Sequence, residues 1–283
     1  MREIKKYTII WGAIFLLAAW GCTERITIEL DETNTRLVVD GGISNEPGHH
    51  MIRLTTTSGF FSNQEPQGVR GAVVHLIYDN KPVLLTEYSG VRGFYALPVV
   101  YAAEPGKTYT LDIRLQAPIG GSARYSAQTT MPVTDFRLDS IQMEYNAPYD
   151  FWLVKVYAQD PPTKDFYKFE TFLNSVSGND TTMRVTATPD RFFNGRNTNG
   201  FAVAFFDGEI LSAGDTLTLV MSAITEDYYQ FYSELRNESG YKNPLFSGPP
   251  ANIRSNLKEG GLGYFSARKI EKASVTVPDW RKK

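Results

Sequence analysis

The chain has 283 residues, 42% hydrophobic and 13% aromatic, with 29 Lys and Arg against 31 Asp and Glu. That is enough apolar material for a sizeable core, and the length suggests about two domains at roughly 150 residues each. A formal charge of −2 without a basic stripe speaks against nucleic acid as a partner, and a single cysteine excludes an internal disulfide or a CxxC metal site.

At the N-terminus Arg2, Lys5 and Lys6 precede an apolar run, Tyr7 to Trp20, that stops at Gly21-Cys22. A basic start, a short apolar segment and a small residue before cysteine form a bacterial lipoprotein export signal over residues 1–21. Cys22 is then the acylated first residue of the mature chain. The run is shorter than the roughly 20 residues of a transmembrane helix. Ala19 stands at the −3 position where leucine is usual. This implies lipid anchoring at the outer membrane, on its periplasmic or surface face, with residues 22–34 as a polar tether.

Strand patterns follow. Leu37, Val39 and Ile43 share one face of the first, Ile52 and Leu54 one face of the second, and Asn45-Glu46-Pro47-Gly48 turns between them. Val74, Leu76 and Tyr78 line a third, Pro82 to Tyr88 forms a fourth, and Gly93-Phe94-Tyr95 opens a fifth. Then Tyr109, Leu111, Ile113 and Leu115 face in while Thr110, Asp112, Arg114 and Gln116 face out, and Ala123 to Met131 closes the set. Short strands between Gly and Pro turns predict a β-sandwich over residues 35–132, immunoglobulin-like or transthyretin-like. Pro132 marks a boundary. Residues 133–283 read as a second β-rich domain, with its last two strands at Leu262–Lys269 and Ala273–Val277. Thr225 caps a helix near 225–237, with Glu226 and Asp227 in its first turn. Its Tyr228, Phe231, Tyr232 and Leu235 form one apolar stripe, expected to pack on a sheet. The predicted class is all-β: two β-sandwich-like domains with one packed helix.

Several blocks resemble the Bacteroidetes lipoprotein family of unknown function DUF4249. They are Arg36-Leu-Val-Val-Asp-Gly-Gly-Ile-Ser, running through Glu46-Pro-Gly-His-His, then Ser58-Gly-Phe-Phe-Ser-Asn, Val69-Arg-Gly-Ala-Val-Val and Ala103-Glu-Pro-Gly-Lys-Thr-Tyr-Thr-Leu. Toward the C-terminus come Asn243-Pro-Leu-Phe, Pro249-Pro-Ala-Asn-Ile and Gly260-Gly-Leu-Gly-Tyr-Phe-Ser-Ala. The resemblance implies an exported β protein anchored at the outer membrane, often encoded near TonB-dependent receptors, and it supplies no catalytic residue.

Candidate sites are few. His49 and His50 beside Glu46 suggest a metal, but adjacent strand residues point to opposite faces, so no metal or other cofactor is expected there. The loop Asn194-Gly-Arg-Asn-Thr-Asn-Gly has calcium-loop spacing without carboxylates at ligand positions. No Gly-x-Ser-x-Gly elbow, phosphate loop or His-Glu-x-x-His occurs. Two loops pair aromatics with polar residues: Phe60-Phe61 near Asn63, and Phe192-Phe193 between Arg191 and Arg196. They are candidate partner loops, with one ring of each pair alternatively a core residue. The glycines of residues 243–267 suit tight turns. Asp180-Thr181-Thr182, Asp139-Ser140-Ile141 and Asp215-Thr216-Leu217 resemble acceptors for periplasmic O-glycosylation, at Thr181 first and then Ser140 and Thr216.

The expected function is non-enzymatic: a lipid-anchored envelope accessory or binding protein that works with a TonB-dependent outer-membrane transporter in nutrient uptake. The alternatives are a hydrolase of surface polymers and a structural or adhesive envelope component.

Overall fold

Residues 35–58, 65–174, 182–239 and 252–279 are described by a computed structural model. The expected export signal, Cys22, the expected tether, Phe60, Phe61, Asn63 and Thr181 lie outside these residues.

The first sandwich contains β1 (Leu37–Ser44), β2 (Met51–Thr56), β3 (Val73–Tyr78), β4 (Lys81–Leu84), β5 (Thr86–Glu87), β6 (Phe94–Ala96), β7 (Thr108–Ile119) and β8 (Ser122–Thr130). One sheet runs β4-β3-β7-β8, and β1, β2, β6 and β5 are successive neighbours in the other. The alternation in β7 matches its burial: Tyr109, Leu111 and Ile113 are wholly buried in a core shared with Leu37, Val39, Leu54, Val74 and Leu76. Asp112, expected outside, is only 7% exposed. It does point away from the core, but Arg114 and Arg124 close over its carboxylate at 3.3 and 3.0 Å. The single strand expected from Pro82 to Tyr88 is instead two, in different sheets, because Leu85 between them turns into the core.

The second sandwich contains β9 (Arg137–Asn146), β10 (Phe151–Gln159), β11 (Phe166–Leu173), β12 (Thr182–Pro189), β13 (Phe201–Asp207) and β14 (Thr216–Ile224). β13-β10-β9 is one sheet and β12-β11-β14 belongs to the other. Trp152, Val154 and Val156 from β10 meet Tyr167 and Phe169 from β11 and Leu217, Leu219 and Met221 from β14. The helix α1 (Glu226–Ser239) follows β14. Thr225 caps it as the sequence indicates: its hydroxyl accepts the Tyr228 N–H at 3.2 Å.

The final strand differs from expectation. The two strands read at 262–269 and 273–277 are one, β15 (Leu262–Thr276). Its first half pairs in parallel with β1, from Val38 opposite Leu262 to Ser44 opposite Arg268. Its second half pairs antiparallel with β14, from Ala223 opposite Lys269 to Thr216 opposite Thr276. Phe265 and Ala267 therefore complete the first core, while Ala273 and Val275 pack on the second. The cores separate between Met131 and Phe136, close to Pro132, but the last strand belongs to both, so residues 133–283 are not one self-contained unit. Parallel pairing across more than 200 residues leaves no local sequence trace.

Close approach explains one glycine of the 260–267 block. Gly263 has φ +87°, and a Cβ there would lie 2.0 Å from the Val39 carbonyl oxygen. Only glycine lets β15 come this near β1 in that conformation.

Candidate functional site

Two places gather polar and aromatic chemistry. The first is the loop after β12. Of the pair expected to serve as partner anchors, Phe193 is a core residue, 4% exposed, with Tyr167 and Phe201 at 6.0 and 5.4 Å between ring centroids. Phe192 is 66% exposed, and the Arg191 guanidinium lies 4.7 Å from its ring centroid. Arg191 and Arg196 are both exposed. The turn explains the division: the Phe193 N–H donates to the Asp190 carbonyl and the Arg196 N–H to the Phe193 carbonyl, which folds one ring inward and leaves its neighbour out.

Beneath this loop lie three carboxylates that sequence spacing did not connect. Asp160, Asp165 and Asp190 are 2%, 8% and 3% exposed, and each places a carboxylate oxygen within 4.8 Å of the others. The calcium-like loop lacks acids of its own, and these three come to it from the ends of β10, β11 and β12. They are the one such set of possible metal ligands among the described residues. Protein donors engage both carboxylate oxygens of Asp160 and one each of Asp165 and Asp190. Asp160 accepts the Tyr167 hydroxyl at 2.6 Å and the Gly195 N–H at 2.9 Å. Asp190 accepts the Asp165 N–H at 2.8 Å and the Asn194 amide at 3.0 Å, and Asp165 accepts the Thr163 hydroxyl. Burial raises the pKa of Asp160 above its ordinary 3.8, the Tyr167 and Gly195 hydrogen bonds oppose the rise, and the charges of Asp190 and Asp165 add to it. The cluster fastens the 190–196 loop to the sheet ends.

The histidines do not converge. His49 Nδ1 lies 2.8 Å from the Leu97 carbonyl and His50 Nε2 2.9 Å from the Tyr101 carbonyl, so each ring is fixed on a different backbone group. Ser140 and Thr216 are exposed on β9 and β14.

The second place is a groove of about 750 Å³ between α1, the starts of β1 and β15, and residues 260–261 that lead into β15. The stripe on α1 does face strands, but no residue of the helix is fully buried, so the same side chains also wall this groove. Tyr228 stacks on Phe231 at 5.9 Å and 12°, and both rings meet Tyr264, at 4.8 and 5.1 Å. Lys168 Nζ lies 5.7 Å from the ring centroids of both Tyr228 and Tyr232.

The charges around these rings are largely fixed by one another. Lys168 and Arg268 share Glu170 at 2.9 and 2.8 Å. Burial pushes the Glu170 carboxyl up, but the two cations together with their hydrogen bonds outweigh it and hold the pKa below 4.5. Arg254 is clamped by Glu234, with Nε and Nη2 at 2.8 and 2.7 Å from Oε1, and also reaches Asp227 and Gln230. Tyr264 donates its hydroxyl to Asp227 at 2.7 Å. Arg36 and Asp40, also in the lining, are exposed and make no side-chain hydrogen bond or ion pair among the described residues. The sequence carried one half of this signal, the aromatic stripe at helical spacing. The other half, Tyr264, lies in the glycine block, and no spacing joins it to the stripe.

Comparison with known proteins gives no match among curated proteins. Among the solved structures that match, two illustrate the likeness. One is a DUF4785 family protein from Legionella pneumophila subsp. pneumophila str. Philadelphia 1, at 12% identity and TM-score 0.25, covering 66% of this chain and 51% of that one. The other is the BSP domain of a biofilm associated protein, at 11% identity and TM-score 0.24, covering 86% of this chain and 29% of that one. The chain thus spans about half of the first and under a third of the second, and at these scores neither alignment informs the fold or the site. The family model for the domain of unknown function DUF4249 matches residues 23–274, nearly the whole chain, and the chain belongs to that family.

Proposed function

We propose that this protein is a non-enzymatic binding component of the cell envelope, anchored through a lipid on Cys22 and working beside a TonB-dependent outer-membrane transporter in nutrient uptake. The observation that carries the reading is the groove. Its volume lies in the range of small-ligand sites, roughly 300–1,000 Å³, and its walls are ring faces with a few placed polar groups. Three cations, Lys168, Arg268 and Arg254, are paired within the protein by three carboxylates, Glu170, Glu234 and Asp227, which leaves the ring faces for a ligand. The three aspartates that converge elsewhere lie under a loop, already engaged by protein donors, which favours binding over polymer hydrolysis.

The surface anchor for the transporter is Phe192 with Arg191 stacked on it, since its neighbour belongs to the core. Exposed aromatics beside arginine are typical interface anchors, and losing one can cost about 2 kcal/mol of binding. Phe61, in the equivalent sequence setting, is proposed as a second anchor. The test compares Phe192→Ala and Phe61→Ala with the parent for recovery of a co-encoded barrel, with a thermal melt of each. Reduced recovery at unchanged melting supports the reading. Full recovery by both variants places the partner surface elsewhere. Cys22→Ser should lose membrane association or processing, because stable anchoring rests on its acyl chains. Quantitative retention of that variant in the outer membrane would remove the anchor from the account.

A further inference from the structure

We infer that the groove between α1 and β1 takes a neutral saccharide, an inference that rests on the binding reading above and names its ligand class. A ligand would have to answer the charges that the groove leaves open. Lys168 and Arg268 are tied to Glu170, and Arg254 to Glu234 and Asp227, three cations against three carboxylates, so the set as a whole calls for no counter-charge from outside. The open charges are Arg36 and Asp40, one of each sign. They are four residues apart on an extended segment, hence on the same face with Val38 between them and about 13 Å from one another. An anionic ligand along this floor would be opposed by Asp40 and a cationic one by Arg36. A fully apolar chain would strip water from both and return no hydrogen bond, which is costly.

A ligand that both donates and accepts hydrogen bonds satisfies the pair. Arg36 only donates, Asp40 only accepts, and Asn252 in the same lining does both. Hydroxyl groups match all three. Beside Asp40 in the sheet stands its register partner Tyr264, and Tyr228 and Phe231 of α1 pack on that ring. Ring faces favour flat C–H surfaces, and a sugar ring presents such a surface with hydroxyls at its edge. A peptide laid in as an added strand is excluded by the topology: β1 is already paired on both sides, with β15 and with β2, so it offers no free backbone edge.

The test is direct titration of the purified full-length lipoprotein in detergent with maltohexaose, xylohexaose, cellohexaose and a wider printed panel of neutral oligosaccharides. A sulfated hexasaccharide and a hexapeptide library are run beside them. At least one neutral oligosaccharide should bind saturably. Phe231→Ala should weaken it about tenfold or more. Asp40→Asn should weaken it less. If Phe231→Ala unfolds in a thermal melt, Tyr228→Leu and Asp40→Asn carry the comparison. A folded parent that binds no neutral member, prefers the sulfated or peptide probes, or binds equally well without the ring overturns the inference. Recovery of a transporter barrel by the same parent would then show that the saccharide assignment alone has failed.

Discussion

Asn45 and Ile270, 225 residues apart, exchange two hydrogen bonds: the Ile270 N–H donates to Asn45 Oδ1 at 2.6 Å, and Asn45 Nδ2 donates to the Ile270 carbonyl at 3.2 Å. A side-chain amide here does what a strand backbone would. It sits at the point where β15 leaves β1 for β14, so the amide covers backbone groups that the change of partner would otherwise strand. Asn256 does the same for Phe265 earlier in β15, with bonds of 3.0 and 2.7 Å. Asn45→Ala should lower stability by about 1–3 kcal/mol, the cost of leaving buried backbone groups unmet. Asn45→Asp should fall between, since it keeps the acceptor and loses the donor. Denaturant unfolding checks both, and an Asn45→Ala variant as stable as the parent would remove this role.

Phe192 and Phe193 are adjacent and should behave oppositely. Removing the core ring of Phe193 should cost about 3–5 kcal/mol. Removing the exposed ring of Phe192 should stay within about 0.5 kcal/mol. Thermal or chemical melts of the two alanine variants distinguish them.

Acid should destabilise the protein in two stages. Burial holds the His50 imidazole below its ordinary 6.5, with the Tyr101 carbonyl bond opposing, and Lys168 with Arg268 hold Glu170 below 4.5. A group whose folded pKa is depressed contributes stability that is present above its unfolded pKa and lost as pH falls toward the folded one. The first decline therefore starts as pH drops through 6.5 and the second below 4.5. Asp160 works in the opposite sense: its raised pKa means that its contribution shrinks as pH climbs past 3.8. A His50→Gln variant should lose the first stage and keep the second, measured as melting temperature against pH.

Native protein should carry a glycan, on Thr181 before Ser140 or Thr216. Ser140 and Thr216 are exposed and hence open to modification. Intact mass above that of the acylated polypeptide, shifted down by Thr181→Ala, is the expected result. A mass equal to the acylated polypeptide alone contradicts it.

What the sequence revealed depended on how local the signal was. The β7 alternation, the Thr225 cap and the α1 stripe are set by neighbours within a few residues, and they stand where the pattern put them. The β15 pairing, the Asp160-Asp165-Asp190 cluster and the Tyr264 contact with α1 join positions distant in the chain, and no periodicity encodes them. Paired aromatics were ambiguous for a simple reason: Phe192 and Phe193 are chemically identical, and only the turn at Asp190 decides which ring is buried.

The most direct measurement of the central claim is affinity isolation of the native protein from gently solubilised membranes, with quantitation of every co-purifying protein. The account predicts one TonB-dependent barrel at near-equal molar amount, reduced when Phe192 is replaced by alanine and the fold is intact. Recovery of the protein alone, or with only its own copies, would contradict it.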